Sequence, residues 1–272
     1  MALVEGTSIR STCRMTGVAK GTVLSLLADL GSACAAYHDE NVKGVSAQRI
    51  QCDEVWSFCY GKDKNVSQEQ KAKGAGSLWT LTAIDADSKL IVSYLCGGRD
   101  GAGAMDFMKD VAARLSTRVQ LTTDGHKAYL EAVEGAFGMD VGYALLIKLY
   151  GNPSQPDTRY SPGVCIGTES VRIIGTPDPK HISTSYVERQ NLTMHMSMRR
   201  FTRLTNAFSK KVENHVHMLA IYFMYYNFCR VHTTLRVTPD MEAGIASHVW
   251  TIEELVRLLD ARPILEGLQL SA

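Results

Sequence analysis

The chain has 272 residues, 45% of them hydrophobic and 21% charged, which excludes a disordered tail or a fibrous repeat and fits one large domain or one domain with a small appendage. Lys and Arg number 29 against 28 Asp and Glu, so a net charge of +1 supplies no whole-molecule attraction to nucleic acid or membrane, and any such attraction has to be local. The seven cysteines (Cys13, Cys34, Cys52, Cys59, Cys96, Cys165 and Cys229) are scattered and never spaced C-x-x-C, which argues against a zinc ribbon or a disulfide framework and fits a reducing, cytosolic setting.

In chain order, residues 1–45 read as helical. Ser8 can cap a short helix to residue 15, Thr16-Gly17 turns, and residues 20–30 place Val23, Leu26, Leu27 and Leu30 at helical spacing. Cys13, Gly17, Val18, Val23 and Leu26 then fall where two helices pack around a tight turn, a helix-turn-helix whose second helix can enter a major groove. Lys20, Thr22 and Ser25 are its candidate DNA contacts. Such a motif usually packs a third helix, and only Ala2 to Glu5 precede this one, so a truncated beginning is expected.

Residues 49–60, 78–85 and 89–96 read as strands, the last two joined by the turn-forming Asp85-Ala86-Asp87-Ser88. A helix over 104–115, a strand over 119–123 and a helix over 127–137 follow. Residues 138–182 hold most of the prolines around two strand-like pieces, 143–150 and 170–174, and are expected to form an insertion. Past Pro179, Ser183 or Ser185 can cap a helix running to about 204, a second helix covers about 206–229, and a short one covers 251–260. The longest apolar stretch, residues 218–226, is less than half the ~20 residues of a membrane span, and the first residues lack a basic segment followed by an apolar one. The expectation is a chain neither exported nor inserted.

Three acids stand out. Asp53 lies in the apolar strand Gln51-Cys52-Asp53-Glu54-Val55-Trp56, where an ionised carboxylate is costly unless paired or bound to metal; a strand-end acid reaching solvent is the plain alternative. Alternation turns Glu54 to the opposite face, so at most one of the two serves a given site. Asp124 closes a strand before Gly125-His126, where open α/β sheets place ligands, although Asp-Gly is also an ordinary turn. Glu188 begins a helix, a position that the helix dipole favours by itself. It opens a basic stretch: Arg189, Arg199, Arg200, Arg203, Lys210, Lys211, Arg230 and Arg236 stand against the single acid Glu213, a local excess of seven. With His195, Phe201, Tyr222, Tyr225 and Tyr226 interleaved, the cations make a candidate phosphate-binding face. The histidines 126, 195 and 232 can assist chemistry, but isolated histidines more often serve structure.

Asp53-Glu54-x-Trp56, Thr122-Thr123-Asp124-Gly125 and, above all, Tyr186-Val187-Glu188-Arg189-Gln190-Asn191-Leu192-Thr193, followed by Arg199-Arg200-Phe201-Thr202-Arg203 and Phe208-Ser209-Lys210, resemble DDE transposases of the insertion-sequence-one family. Tyr226-Asn227-Phe228-Cys229-Arg230-Val231-His232 is similar to the ending of many such enzymes, and the resemblance covers residues 8–240. It implies an α/β fold, a ribonuclease H-like mixed sheet flanked by helices and preceded by the helix-turn-helix segment. Residues 1–45 would be that segment, 46–240 the catalytic domain with its insertion at 138–182, and 241–272 a helical tail. It implies Asp53, Asp124 and Glu188 as catalytic and metal-binding triad, with Arg189, Arg199, Arg200, Arg203, Lys210, Lys211 and Arg230 on DNA. Two departures stand out: 63 residues separate Asp124 from Glu188, and the cysteine-rich motif that often precedes the helix-turn-helix is missing.

Three carboxylates offer only oxygen ligands, which suits Mg²⁺ or Mn²⁺. Two such ions ~3.5 to 4 Å apart fit an in-line displacement at phosphorus, with water attacking first and the freed 3′-hydroxyl then attacking target DNA. The expected partners are double-stranded DNA, both transposon ends and target, and further copies of the chain, with no membrane; the expected setting is the cytoplasm and nucleoid of a bacterium or archaeon. The alternatives are a transposase-derived DNA-binding protein that no longer cuts, and a ribonuclease H-like nuclease without strand transfer.

Overall fold

The computed structural model describes residues 1–151, 165–202 and 206–260. The chain is α/β, with a six-stranded mixed sheet flanked by helices. It divides into two compact units: Met1–Val42, Ser57–Ser77 and Met194–Ala272 form one, and Lys43–Trp56 with Leu78–Thr193 form the other. Helices from both ends of the chain fall in the first of these units.

In the first unit, α1 (Ile9–Thr16) is capped by the Ser8 hydroxyl, which accepts the Ser11 N–H at 3.1 Å, and ends on Gly17 at φ +72°. The chain turns by 119° into α2 (Lys20–Asn41), which runs eleven residues past the expected end at Leu30. Beyond Leu30 the run Gly-Ser-Ala-Cys-Ala-Ala loses its bulky apolar spacing, and the helix persists because small residues admit a close neighbour. That neighbour is α7 (Val212–Met224): a Cβ on Gly31 would lie 2.4 Å from the His217 Cβ. Buried Leu27, Cys34, Met218, Phe223 and Phe228 fill the core. The expected helix from 206 to 229 instead starts at Val212 and closes in a π turn, Tyr225–Cys229.

The second unit carries the site. The strands are β1 (Arg49–Cys59), β2 (Gly76–Asp85), β3 (Ile91–Gly97), β4 (Val119–Thr123), β5 (Val141–Tyr150) and β6 (Cys165–Ile174), in the order β3-β2-β1-β4-β5-β6. β1 and β5 both run parallel to β4, whereas β3 pairs antiparallel with β2 and β6 with β5. Asp85 forms the hairpin turn as expected, its carboxylate accepting the N–H groups of Asp87 and Ser88. Parallel strands need crossovers, which α4 (Gly101–Arg114) and α5 (Ala128–Phe137) supply; their buried Phe107, Met108, Val111, Ala132 and Val133 cover apolar strand residues such as Ile50 and Leu121.

The expectation of an insertion from residue 138 is corrected at its start, because β5 is part of the sheet and is buried from Val141 to Leu145. The strand-like piece read at 143–150 is this strand, and it pairs parallel with β4. Two short helices, α3 (Gln68–Ala72) and α8 (Pro239–Glu242), were not foreseen; α9 (Ile252–Arg257) falls within the expected last helix. Among the described residues no single helix is long and apolar enough to cross a membrane.

Candidate metal centre

The β1–β4 ladder ends at Cys52 opposite Thr123, so Asp53, midway along β1, and Asp124, just past the end of β4, are the next residues of two adjacent parallel strands. Asp53 leans back on its own strand, Oδ1 accepting the Glu54 N–H at 2.9 Å, while Oδ2 accepts from Asn191 Nδ2 at 2.8 Å. Asp124 accepts the His126 N–H at 3.0 Å, the turn that Asp-Gly favours, and still lines the cleft.

Glu188 sits in the first turn of α6 (Ser185–Ser197), which stops short of the expected residue 204. Its N-terminus is docked on β1 by Gln51, whose Oε1 accepts the N–H groups of Tyr186 and Val187 at 2.8 and 3.2 Å. Lys89 Nζ lies 3.4 Å from the Tyr186 ring centre and adds a second hold. A cleft of about 580 Å³ is thereby lined by Asp53, Asp124 and Glu188 together with Arg99, His126 and Lys148.

The three expected acids do not stand equally. One oxygen of Glu188 accepts from Thr184 and the other pairs with Lys148 on β5. The tight set is instead Asp53, Glu54 and Asp124, with one ligand oxygen from each within 4.8 Å of the others. The expectation that Asp53 and Glu54 cannot share a site is overturned. Alternation sets where a side chain leaves the strand, but Asp53 folds back along the backbone and Glu54 is one methylene longer.

Burial, opposed by the Glu54 N–H and reinforced by the charges of Asp124, Glu54 and Glu188, pushes the Asp53 carboxyl up to about 7. Burial and Asp124 also raise Glu54, against the pull of Arg99. Burial, then Arg99, lowers His126, leaving a neutral imidazole at the rim; burial acts against Lys148, but the hydrogen bond and charge of Glu188 leave it raised. His126 is thus the expected histidine that reaches the cleft. His195 bonds the Phe201 carbonyl and His232 the Thr234 hydroxyl.

Six buried side-chain polar atoms lack a hydrogen-bond partner among the described residues, and four of them, Glu54 Oε1, Asn191 Oδ1, Tyr129 Oη and His126 Nε2, belong to this site or to residues touching it. Native proteins leave few such atoms, so their concentration here fits a place shaped to receive a ligand. An all-oxygen donor set of three or four carboxylates suits Mg²⁺ or Mn²⁺.

The expected DNA contacts separate. Lys20, Thr22 and Ser25 are exposed on α2, and Arg189, Arg199, Lys210, Lys211 and Arg230 are exposed along the later segments. Arg200 is corrected: its Nη1 donates to Ser209 Oγ and to the Asn214 carbonyl, both at 2.8 Å, which commits it to the fold. Arg203 lies outside the described residues. The interleaved aromatics are mostly core, since Phe201, Tyr222 and Tyr226 are buried. The chain matches no family model and no curated protein.

Proposed function

We propose that the chain is a metal-dependent DNA strand transferase, of the DDE transposase kind that its motifs resemble, built on a ribonuclease H-like sheet. One observation carries the proposal: Asp53 and Asp124 follow the last paired residues of two adjacent parallel strands and share a cleft with Glu188, the three residues that the motifs single out. The strand order, with an antiparallel β2–β3 hairpin beside parallel β1, β4 and β5, supports the same fold.

Asp53 and Asp124 would hold the divalent cation, with Glu188 completing the site once Lys148 lets it go. The cation would supply activation of the attacking oxygen and charge relief at the leaving oxygen of a phosphodiester. The protein's own part is positioning. Lys148, Arg99 and Lys127 line the cleft as cations able to hold phosphate oxygens, and neutral His126 is placed to accept a proton.

The pair α1–α2 supports a helix-turn-helix reading, because 119° lies in the range of such pairs and Lys20, Thr22 and Ser25 are exposed on the second helix. Arg189, Arg199, Lys210, Lys211 and Arg230 would bind DNA phosphates. Joining two ends to a target requires more than one subunit, so the acting form in this reading is an oligomer.

The test is cleavage of duplex DNA carrying the ends of the element that encodes the chain, with Mg²⁺ or Mn²⁺. Wild-type protein is expected to nick the ends and join a pre-cleaved 3′-hydroxyl end to a plasmid, whereas Asp53→Asn and Glu188→Gln bind the duplex without cutting. Cutting that survives both substitutions would refute the proposal, and cutting without joined products would reduce it to a nuclease.

A further inference from the structure

We infer that Glu54 is a further ligand of the divalent cation, shared with Asp53 and Asp124, and that Arg99 is the counter-cation whose place the metal takes. The inference rests on the reading of the cleft as a metal centre. The Glu54 side chain is 2% exposed, and enclosing a carboxylate that far is costly unless its charge is answered. What answers it is slight. A single nitrogen, Arg99 Nη2, is divided between Glu54 Oε2 at 3.2 Å and Asp124 Oδ2 at 3.4 Å.

A strong arginine–carboxylate pair frequently closes two parallel hydrogen bonds on one carboxylate. Here one nitrogen spans two carboxylates, Glu54 Oε1 takes no hydrogen bond of standard geometry among the described residues, and the buried Tyr129 hydroxyl within reach of the Glu54 carboxylate is a neutral donor that leaves its charge unanswered. Arg99 itself enters from outside. Its side chain is 36% exposed, it follows Gly97 and Gly98, and its guanidinium carbon lies 4.8 Å from the ring centre of Trp79. Trp79 offers a cation–π hold when the carboxylates are given up, so displacement needs no change of fold. An enclosed acid with one oxygen outside the Arg99 contact, in a set spanning no more than 4.8 Å, is a ligand held ready rather than half of a salt bridge.

The experiment is Mn²⁺ titration of the full chain, bound ion being read from the loss of the free-ion electron paramagnetic resonance signal and from the shift in melting temperature. The variants are Asp53→Asn, Glu54→Gln, Arg99→Gln and the double Glu54→Gln/Arg99→Gln. Glu54→Gln is expected to weaken binding about tenfold or more by removing a charged ligand. Arg99→Gln is expected to strengthen it and to enlarge the Mn²⁺-induced rise in melting temperature. The double variant removes the enclosed acid together with its counter-cation, so it tests the ligand role even if Glu54→Gln alone does not fold, and it should bind more weakly than Arg99→Gln.

Wild-type affinity in Glu54→Gln, or affinity in the double variant equal to that of Arg99→Gln, with affinity lost in Asp53→Asn, overturns the role of Glu54 and leaves the metal centre standing. Weaker binding in Arg99→Gln overturns the counter-cation. Absence of Mn²⁺ binding by the wild-type chain at millimolar concentration overturns the metal centre itself.

Discussion

The carboxamide oxygen of Gln51 accepts the backbone N–H of Tyr186 at 2.8 Å, joining the strand of Asp53 to the first turn of the helix that carries Glu188 across 135 residues of sequence. Gln51 also takes the Val187 N–H and is 3% exposed, so it caps the helix from another element where no water can replace it. Gln51→Met, similar in shape but without the acceptor, is expected to cost roughly 2 kcal/mol in urea unfolding and to lower the rate of DNA cleavage beyond that loss. Gln51→Glu keeps the acceptor and should retain most of both. A Met variant equal to wild type would show that α6 is held by packing alone.

What the sequence reveals of this site follows from the range of each interaction. Asp53 stands out as a costly acid in an apolar strand and Asp124 as an acid before glycine at a strand end, both local signals; all three acids, Glu188 above all, are legible because their neighbours resemble a known motif. Glu54 was excluded by alternation, which says where a side chain starts and nothing of where a long one ends. Arg99 and Lys148 were silent, since they reach their carboxylates 45 and 40 residues away in the chain and neither interval leaves a pattern. Arg200 was taken for a DNA contact because the partners that occupy it, Ser209 and Asn214, are set by tertiary packing. α2 was cut short for a related reason: its second half reads as weak helix until the close approach of α7 explains Gly31 and the alanines.

Asp53 ties stability to pH with a definite sign. Its carboxyl is raised from 3.8 to about 7 in the native chain, so between those values the native state keeps a proton that the unfolded state has released. The stability held at low pH is lost as pH rises from about 4 through about 7. A urea series without metal should show the wild type losing a few kcal/mol relative to Asp53→Asn between pH 5 and pH 8, and Mn²⁺ should restore it by binding the ionised form. Parallel profiles for the two proteins would show that Asp53 ionises normally.

Gly31 marks the closest approach of α2 to α7. An added Cβ would stand 2.4 Å from the Cβ and 2.6 Å from the Cα of His217, atoms that cannot move without the helix. Alanine favours a helix over glycine by about 1 kcal/mol, whereas overpacking costs about 1–3 kcal/mol, so Gly31→Ala is expected to lower the melting temperature despite its better propensity. A raised melting temperature would mean that the two helices part at no cost.

The most direct measurement is an anomalous difference map from crystals of the full chain grown with Mn²⁺. The expected result is a peak within about 2.0–2.6 Å of carboxylate oxygens from both Asp53 and Asp124, with Arg99 withdrawn from Glu54. Mn²⁺ bound elsewhere on the surface, with the Asp53–Asp124 cleft empty and Arg99 still bridging Glu54 and Asp124, would contradict it.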